Sequence, residues 1–371
     1  MKDIKKILRF LLLYPASVIY MIVTNIRNRM FDYEIFFSER QFSIPIISVG
    51  NITVGGTGKT PHIEYLVSLL KDNFSIATLS RGYKRKTRGF YLAKKQSTVN
   101  EIGDEPKQIK NKYPEIEVAV DEKRVRGIKK LEENSSGQLD IILLDDAFQH
   151  RHVKPGLSVL LIDYTQPMFR DHILPFGRLR ENRHEKRRAN IIIITKTPHD
   201  IKPIEKRILI KNLKIFPFQN LYFTSIVQGS LTHLYGLEKF NIPKEIHLSD
   251  NYSVLLLTGI ANPEHLIKHV EIFSNDIHEL RFADHYSYNK KDIDNILGKF
   301  NNINSENKII VTTEKDAVRL RDVENANELK NLPVFFVPLA IRFHGKDKQE
   351  FDNQIITYVR KNKRNSNLHS K

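Results

Sequence analysis

Apolar and polar positions fall in short blocks along this chain. Nearly continuous apolar runs occupy Ile44 to Val49, Phe74 to Leu79, Val118 to Val120, Ile141 to Leu144, Leu157 to Ile162 and Ile191 to Thr195, and helical patterns lie between them. Unbroken apolar runs of this length predict strands buried on both faces, and strands separated by helices predict a parallel sheet. The expected fold class is α/β. In such sheets ligands bind beyond the carboxyl ends of the strands.

From Phe216 to about Phe240 the pattern becomes mixed and turn-rich, and Tyr252 to Leu257 then opens a second α/β segment that ends near Pro338. A later strand, Lys308 to Thr313, runs into a helix start at Thr313-Glu-Lys-Asp-Ala-Val-Arg319. The expected organisation is an N-terminal helix over 1–30, a core domain over 31–225, a smaller α/β domain over 226–340 and a tail over 341–371. Disorder is expected only in 361–371.

The first thirty residues read differently. Lys2, Lys5, Lys6 and Arg9 precede an uncharged, mostly apolar stretch from Phe10 to Ile26, and Arg27 and Arg29 follow it. A spanning helix needs about 20 predominantly apolar residues, whereas this stretch is short and carries Pro15, Ser17, Thr24 and Asn25. No small-residue cleavage site follows, so a removed signal peptide is not expected. The favoured reading is a monotopic helix lying in the cytoplasmic face of a membrane. A buried docking helix and a true span are the alternatives.

Charge narrows the partners. The 371 residues carry a formal net charge of +16, which attracts nucleic acid, an anionic membrane or a phosphorylated substrate. No recognition helix, base-stacking motif or zinc pattern accompanies it, so no nucleic-acid partner is expected. The absence of cysteine excludes disulfides, thiolate metal sites and cysteine nucleophiles.

The candidate chemistry begins at the strand-to-helix junction after Ile44-Pro-Ile-Ile-Ser-Val-Gly50. Thr53, Val54, Gly55, Gly56, Thr57, Gly58, Lys59 and Thr60 form a phosphate loop, followed by a helix with Pro61 as its expected first residue. Glycines let backbone N–H groups converge on an anion, Lys59 reaches the β- and γ-phosphates of ATP, and Thr60 offers its hydroxyl to Mg²⁺. The strict pattern asks for glycine where Thr53 stands. The bland alternative is an ordinary turn containing Gly-Lys-Thr.

Ile141-Ile-Leu-Leu delivers Asp145 and Asp146 to the end of a strand, the arrangement in which an aspartate orients Mg²⁺ directly or through water. A helix N-cap would account for one of these two. Gln149, His150 and Arg151 follow at the same rim, with His150 readable equally as a packed core histidine. Three further segments are weaker alone. Gly103-Asp104-Glu105-Pro106 is also ordinary turn chemistry. Leu174-Pro-Phe-Gly-Arg-Leu-Arg180-Glu181 reads as an anion clamp or as a solvated charged surface. Asp284-His285 places a proton-transfer group beside an acid, a pair that is usually structural.

Taken in order, Val49-Gly-Asn-Ile-Thr-Val-Gly-Gly-Thr-Gly-Lys-Thr-Pro61, Ser80-Arg-Gly-Tyr83, Gly103-Asp-Glu-Pro106, Asp145-Asp-Ala-Phe-Gln-His-Arg151, Leu174 to Glu181, Asp284-His285 and Thr313-Glu-Lys-Asp316 closely resemble the tetraacyldisaccharide 4'-kinases of lipid A synthesis. The resemblance runs from the N-terminal helix to about residue 345 and includes a loop without the first glycine. It implies a P-loop kinase fold and transfer of the ATP γ-phosphate to the 4'-hydroxyl of tetraacyldisaccharide 1-phosphate, a lipid A precursor, at the cytoplasmic face of the bacterial inner membrane. It also implies a catalytic dyad of Asp104 and His285, ATP and Mg²⁺ service by Lys59 and Thr60, and metal organisation by Asp145 and Asp146. Tyr83, Gln149, Arg180 and Glu181 are candidates for substrate or phosphate contact. The anionic membrane surface is the second expected partner. The rival reading is a membrane-attached P-loop switch ATPase. A GTPase is disfavoured because Pro198 in Thr195-Lys-Thr-Pro198 stands where guanine recognition needs an aspartate.

Overall fold

The computed structural model describes residues 2–36, 38–135, 137–236, 246–323 and 326–369, with side chains described from residue 10 to residue 363 of these; Lys2, Lys5, Lys6 and Arg9 therefore contribute backbone only. The strands are β1 (Ile46–Asn51), β2 (Ile76–Ser80), β3 (Tyr91–Leu92), β4 (Glu117–Val120), β5 (Ile141–Asp145), β6 (Leu157–Asp163), β7 (Ile191–Thr195), β8 (Asn220–Gln228), β9 (Thr232–His233), β10 (Ser253–Thr258), β11 (Asp276–Arg281), β12 (Lys308–Thr313), β13 (Val334–Val337) and β14 (Leu339–Phe343). The helices are α1 (Lys2–Asp32), α2 (Lys59–Leu70), α3 (Val99–Ile102), α4 (Asp104–Lys112), α5 (Arg124–Asn134), α6 (Pro203–Leu213), α7 (Glu264–Val270), α8 (Lys290–Asn301), α9 (Glu314–Arg321) and α10 (Asp347–His369).

Two sheets result. The larger has nine strands in the order β14-β8-β7-β6-β1-β5-β2-β4-β3, parallel throughout except where β3 and β14 close its edges. The smaller has five in the order β11-β10-β12-β13-β9 and is parallel except at β9. Every residue of β1, β5, β7 and β10 is buried, as unbroken apolar strands covered on both faces require. The chain leaves the large sheet after β8 and returns along β14. Gly229 N donates to Pro338 O at 2.9 Å where these two crossings meet.

Two expectations change here. The boundary placed near residue 226 falls inside β8, a strand of the large sheet. The segment expected as a tail, 341–371, instead closes that sheet with β14 and covers it with α10. Phe351, Ile355 and Val359, one helical turn apart, are buried against Tyr222 and Phe343. The backbone of 361–369 continues the helix rather than lying in disorder.

Helix α1 lies along the large-sheet half. Phe10 and Tyr14 meet the Phe176 ring edge-on, Ser17 Oγ accepts from Phe176 N at 2.8 Å, Tyr20 OH donates to Arg180 O, and Asn28 is buried. The opposite face exposes Leu11, Leu12, Ile19, Ile22, Val23 and Ile26. Among the described residues it is the one helix long and apolar enough to cross a membrane.

Candidate active site

The phosphate loop connects β1 to α2, and its conformation demands glycine. Gly55 and Gly58 adopt φ of 109° and 83°, the left-handed region that side chains avoid, and a Cβ on Gly58 would stand 3.3 Å from Ile226. The helix begins at Lys59 rather than at Pro61. The proline costs nothing there, because the first-turn N–H groups have no intrahelical acceptor. The loop is stitched to the 174–181 segment: Val54 N donates to Arg178 O, Arg180 N donates to Ile52 O, and Thr53 bridges to Leu179. Beneath it His62 is buried. Its Nδ1 donates to Gly58 O at 2.7 Å and its Nε2 accepts from Thr224 of β8 at 3.1 Å, and burial holds its pKa at about 4.

The acidic pair stands at the end of β5, directly beside β1. Lys59 Nζ is 3.6 Å from Asp146 Oδ1, and Arg180 Nη1 lies 3.2 Å from both Asp146 oxygens. Burial would raise the Asp146 pKa, but Lys59 and Arg180 outweigh it and the pKa is lowered. Asp145 differs. Burial pushes its pKa up to about 7, the Glu105 charge adds to the rise, and its Oδ1 is buried without a hydrogen-bond partner. The side-chain oxygen of Asn51, at the end of β1, is likewise buried and unpartnered.

A buried, unsatisfied carboxylate beside the phosphate loop fits a divalent cation, which removes the desolvation cost of the charge. Thr60, buried at the start of α2, offers a hydroxyl. Among the described residues no group of three or more His, Cys, Asp or Glu side chains forms a closed cage. Mg²⁺ does not require one, since one or two carboxylates and substrate phosphates commonly hold it.

The second cluster joins the two sheets. Asp104 opens α4 on the large-sheet side, and its Oδ2 lies 3.0 Å from His285 Nδ1, on the loop after β11. An ionised carboxylate only accepts, so this bond forms with the proton on Nδ1, leaving the Nε2 lone pair free. Burial would raise the Asp104 carboxyl, but His285, Lys315 and Arg319 together hold it well below the usual carboxylate range. Lys315 Nζ pairs with Glu105 at 2.6 Å. Because the Glu105 charge acts on Asp145, the dyad and the acidic pair share one electrostatic environment. The Tyr83 ring packs edge-on to His285 at 5.4 Å and is 58% exposed, open to a ligand.

Other sequence candidates take different places. Gln149 donates to Asn51 O at 2.8 Å and accepts from Arg180, so it braces Arg180. Glu181 is fully buried, and its carboxylate is taken up by Arg27, Asn28 and Arg188. That carboxylate ties α1 to the site loop. Arg151 is similarly committed, to Asp32, Glu39 and Asn28 O. His150 is largely buried and held at about pKa 4, by burial first and the Arg124 charge second. Asn51, Lys315 and Arg319 were not singled out by sequence. Asn51 alone carried a signal, as the polar residue closing a buried strand before a glycine loop.

Comparison with known proteins adds an independent finding. The family model described as tetraacyldisaccharide-1-P 4'-kinase matches residues 9–360. The tetraacyldisaccharide 4'-kinase of Bacteroides thetaiotaomicron is 45% identical over 361 residues, covering 96% of this chain and 95% of its own. That of Flavobacterium psychrophilum is 42% identical, covering 94% and 96%. The crystal structure of LpxK from Aquifex aeolicus in complex with ATP superposes with a TM-score of 0.71 at 28% identity, covering 95% of this chain and 99% of that one.

Proposed function

This chain belongs to the tetraacyldisaccharide-1-P 4'-kinase family, and from that premise we propose how its site carries out the reaction. The protein is a lipid kinase of lipid A biosynthesis that transfers the ATP γ-phosphate to the 4'-hydroxyl of tetraacyldisaccharide 1-phosphate. The new bond joins the 4'-oxygen to the γ-phosphorus, the bond from that phosphorus to the β-bridging oxygen breaks, and ADP leaves. The hydroxyl proton must go to a base.

The dyad serves as that base. The single observation carrying this reading is the contact between Asp104 and His285, which leaves an imidazole lone pair available beside exposed Tyr83. Positioned proton transfer of this kind contributes roughly 10²- to 10⁴-fold. The Gly55 to Thr60 loop and Lys59 hold the triphosphate, and Arg180, braced by Gln149, adds a second cation at the rim. Phosphoryl transfer depends mainly on positioning and charge neutralisation, which this arrangement suits. Mg²⁺ would be held by Thr60, Asp145 and Asp146, and when bound it would neutralise phosphate charge.

The dyad spans two sheets that the chain links by its crossings after β8 and before β14, so closure of one half on the other would complete the site and limit attack by water. The acceptor carries four acyl chains and does not readily leave a bilayer. The exposed apolar face of α1 supports docking flat on the cytoplasmic face of the inner membrane, with its other face packed on the site loop. Comparing ATP hydrolysis with and without lipid acceptor tests the scheme. Turnover should depend on the acceptor, whereas equal rates would contradict closure.

A further inference from the structure

We propose that Arg319 is a positioning residue for the transfer reaction: its guanidinium, held by Asp316, fixes the Asp104 carboxylate against His285 Nδ1 and so assembles the dyad across the two sheets. This inference rests on the reading of Asp104 and His285 as the base.

The guanidinium has its own rigid mount. Asp316, with no exposed surface, accepts from Gly259 N at 2.9 Å and from Thr313 Oγ1 at 2.7 Å through Oδ2, and from Tyr288 OH and Arg319 Nη1 through Oδ1. Arg319 Nη1 also donates to Gly259 O. Gly259 admits no side chain here, since a Cβ would sit 2.8 Å from Asp316 Oδ1. One arm of the fork is thereby locked to the small-sheet half.

The other arm reaches the large-sheet half. Arg319 Nη2 lies 2.5 Å from Asp104 Oδ2 and 3.1 Å from His285 Nδ1, so one carboxylate oxygen receives both the guanidinium and the imidazole. A structural ion pair between domains would need only the carboxylate. Here the same nitrogen touches both dyad members, and Arg319 is itself buried. A guanidinium stays charged at any working pH and accepts nothing, so it orients Asp104 without competing for the substrate proton. Lys315 on α9 acts on the same carboxylate and pairs with Glu105 on α4, and Asp284 lies 4.0 Å from His285 Nε2. None of these three touches both Asp104 and His285 in this way.

The test uses the full chain with labelled γ-phosphate transfer to the lipid acceptor in detergent micelles, comparing wild type, Arg319→Gln, Arg319→Lys and Asp104→Asn, each first checked for cooperative unfolding. Arg319→Gln should lower kcat roughly 10- to 100-fold, part of what a positioned base supplies, with KM for ATP little changed. Its acid limb should move to higher pH, because Asp104 holds a proton more tightly without the neighbouring cation. Arg319→Lys should keep the limb near its wild-type position while kcat stays low, since charge returns without the fork. Wild-type kcat in Arg319→Gln, or a loss with the acid limb unmoved, would overturn the proposal. If Arg319→Gln does not fold, Arg319→Lys decides alone: lowered kcat with the limb in place supports it, and full kcat overturns it. An active Asp104→Asn would instead bring down the dyad reading beneath it.

Discussion

Asp104 Oδ2 and His285 Nδ1 stand 3.0 Å apart although 181 residues separate them in the chain, and they belong to halves built on different sheets. On the proposed reading each half supplies one member of the proton-accepting dyad. Removal of either member should therefore cost nearly the same.

Asp104→Ala and His285→Ala are each expected to lower kcat by roughly 10²- to 10⁴-fold with a small change in KM for ATP. The double variant should be little worse than either single one, because groups acting as a unit are not additive. Steady-state kinetics of the three variants check this.

Lys59→Ala should act differently. Loss of the cation beside the β,γ-phosphates is expected to reduce kcat/KM by at least about 100-fold, comparable to deleting one electrostatic stabiliser of a transition state. Nucleotide binding, followed by titration calorimetry, should weaken in parallel, which Asp104→Ala should not reproduce.

Asp145 predicts a proton linkage. Its native pKa is raised from 3.8 to about 7, so metal-free folded protein retains a proton that the unfolded chain releases. Stability from this group is full below about 4 and is lost as pH rises through about 7. Mg²⁺ requires the carboxylate, so binding near neutrality should release a fraction of a proton. Calorimetric Mg²⁺ titrations in buffers of different ionisation enthalpy read that release, and Asp145→Asn should abolish it. Buffer-independent heats in the wild type would contradict the assignment.

Helix α1 is expected to separate docking from catalysis. Leu12→Glu with Val23→Glu places charge on its exposed face while leaving Tyr14, Ser17, Tyr20 and Arg27 in contact with the core. Sedimentation with anionic vesicles should fall while turnover of micellar acceptor is retained. Deleting residues 1–27 should do more, because Glu181 loses its Arg27 partner, and a hydrogen bond to a buried charge is worth about 1.5–3 kcal/mol.

Much of this molecule was legible in its sequence because apolar strands and a glycine loop are local signals. Ile141 to Leu144 announced both β5 and the two carboxylates at its end. β8 escaped because its buried centre is polar: Thr224 bonds to His62, and Ser225 donates to Thr197 O and contacts His344. Those partners lie far along the chain, so the strand read as turn-rich text. The segment 341–371 reads as a tail because charged residues surround Phe351, Ile355 and Val359, whose common burial appears only in the folded chain. Arg319 was illegible for a deeper reason. Glu314, Asp316 and Arg319 look like one turn of a solvated helix, and only the approach of α4 and the loop after β11 buries them as pairs.

The central claim is the transfer itself, with Asp104 in its base. Label from γ-³²P-ATP should appear in tetraacyldisaccharide 1-phosphate incubated with wild-type protein in detergent micelles, and should be nearly absent with Asp104→Ala. Label released only as inorganic phosphate would contradict the kinase assignment, and equal lipid labelling by both proteins would contradict the dyad.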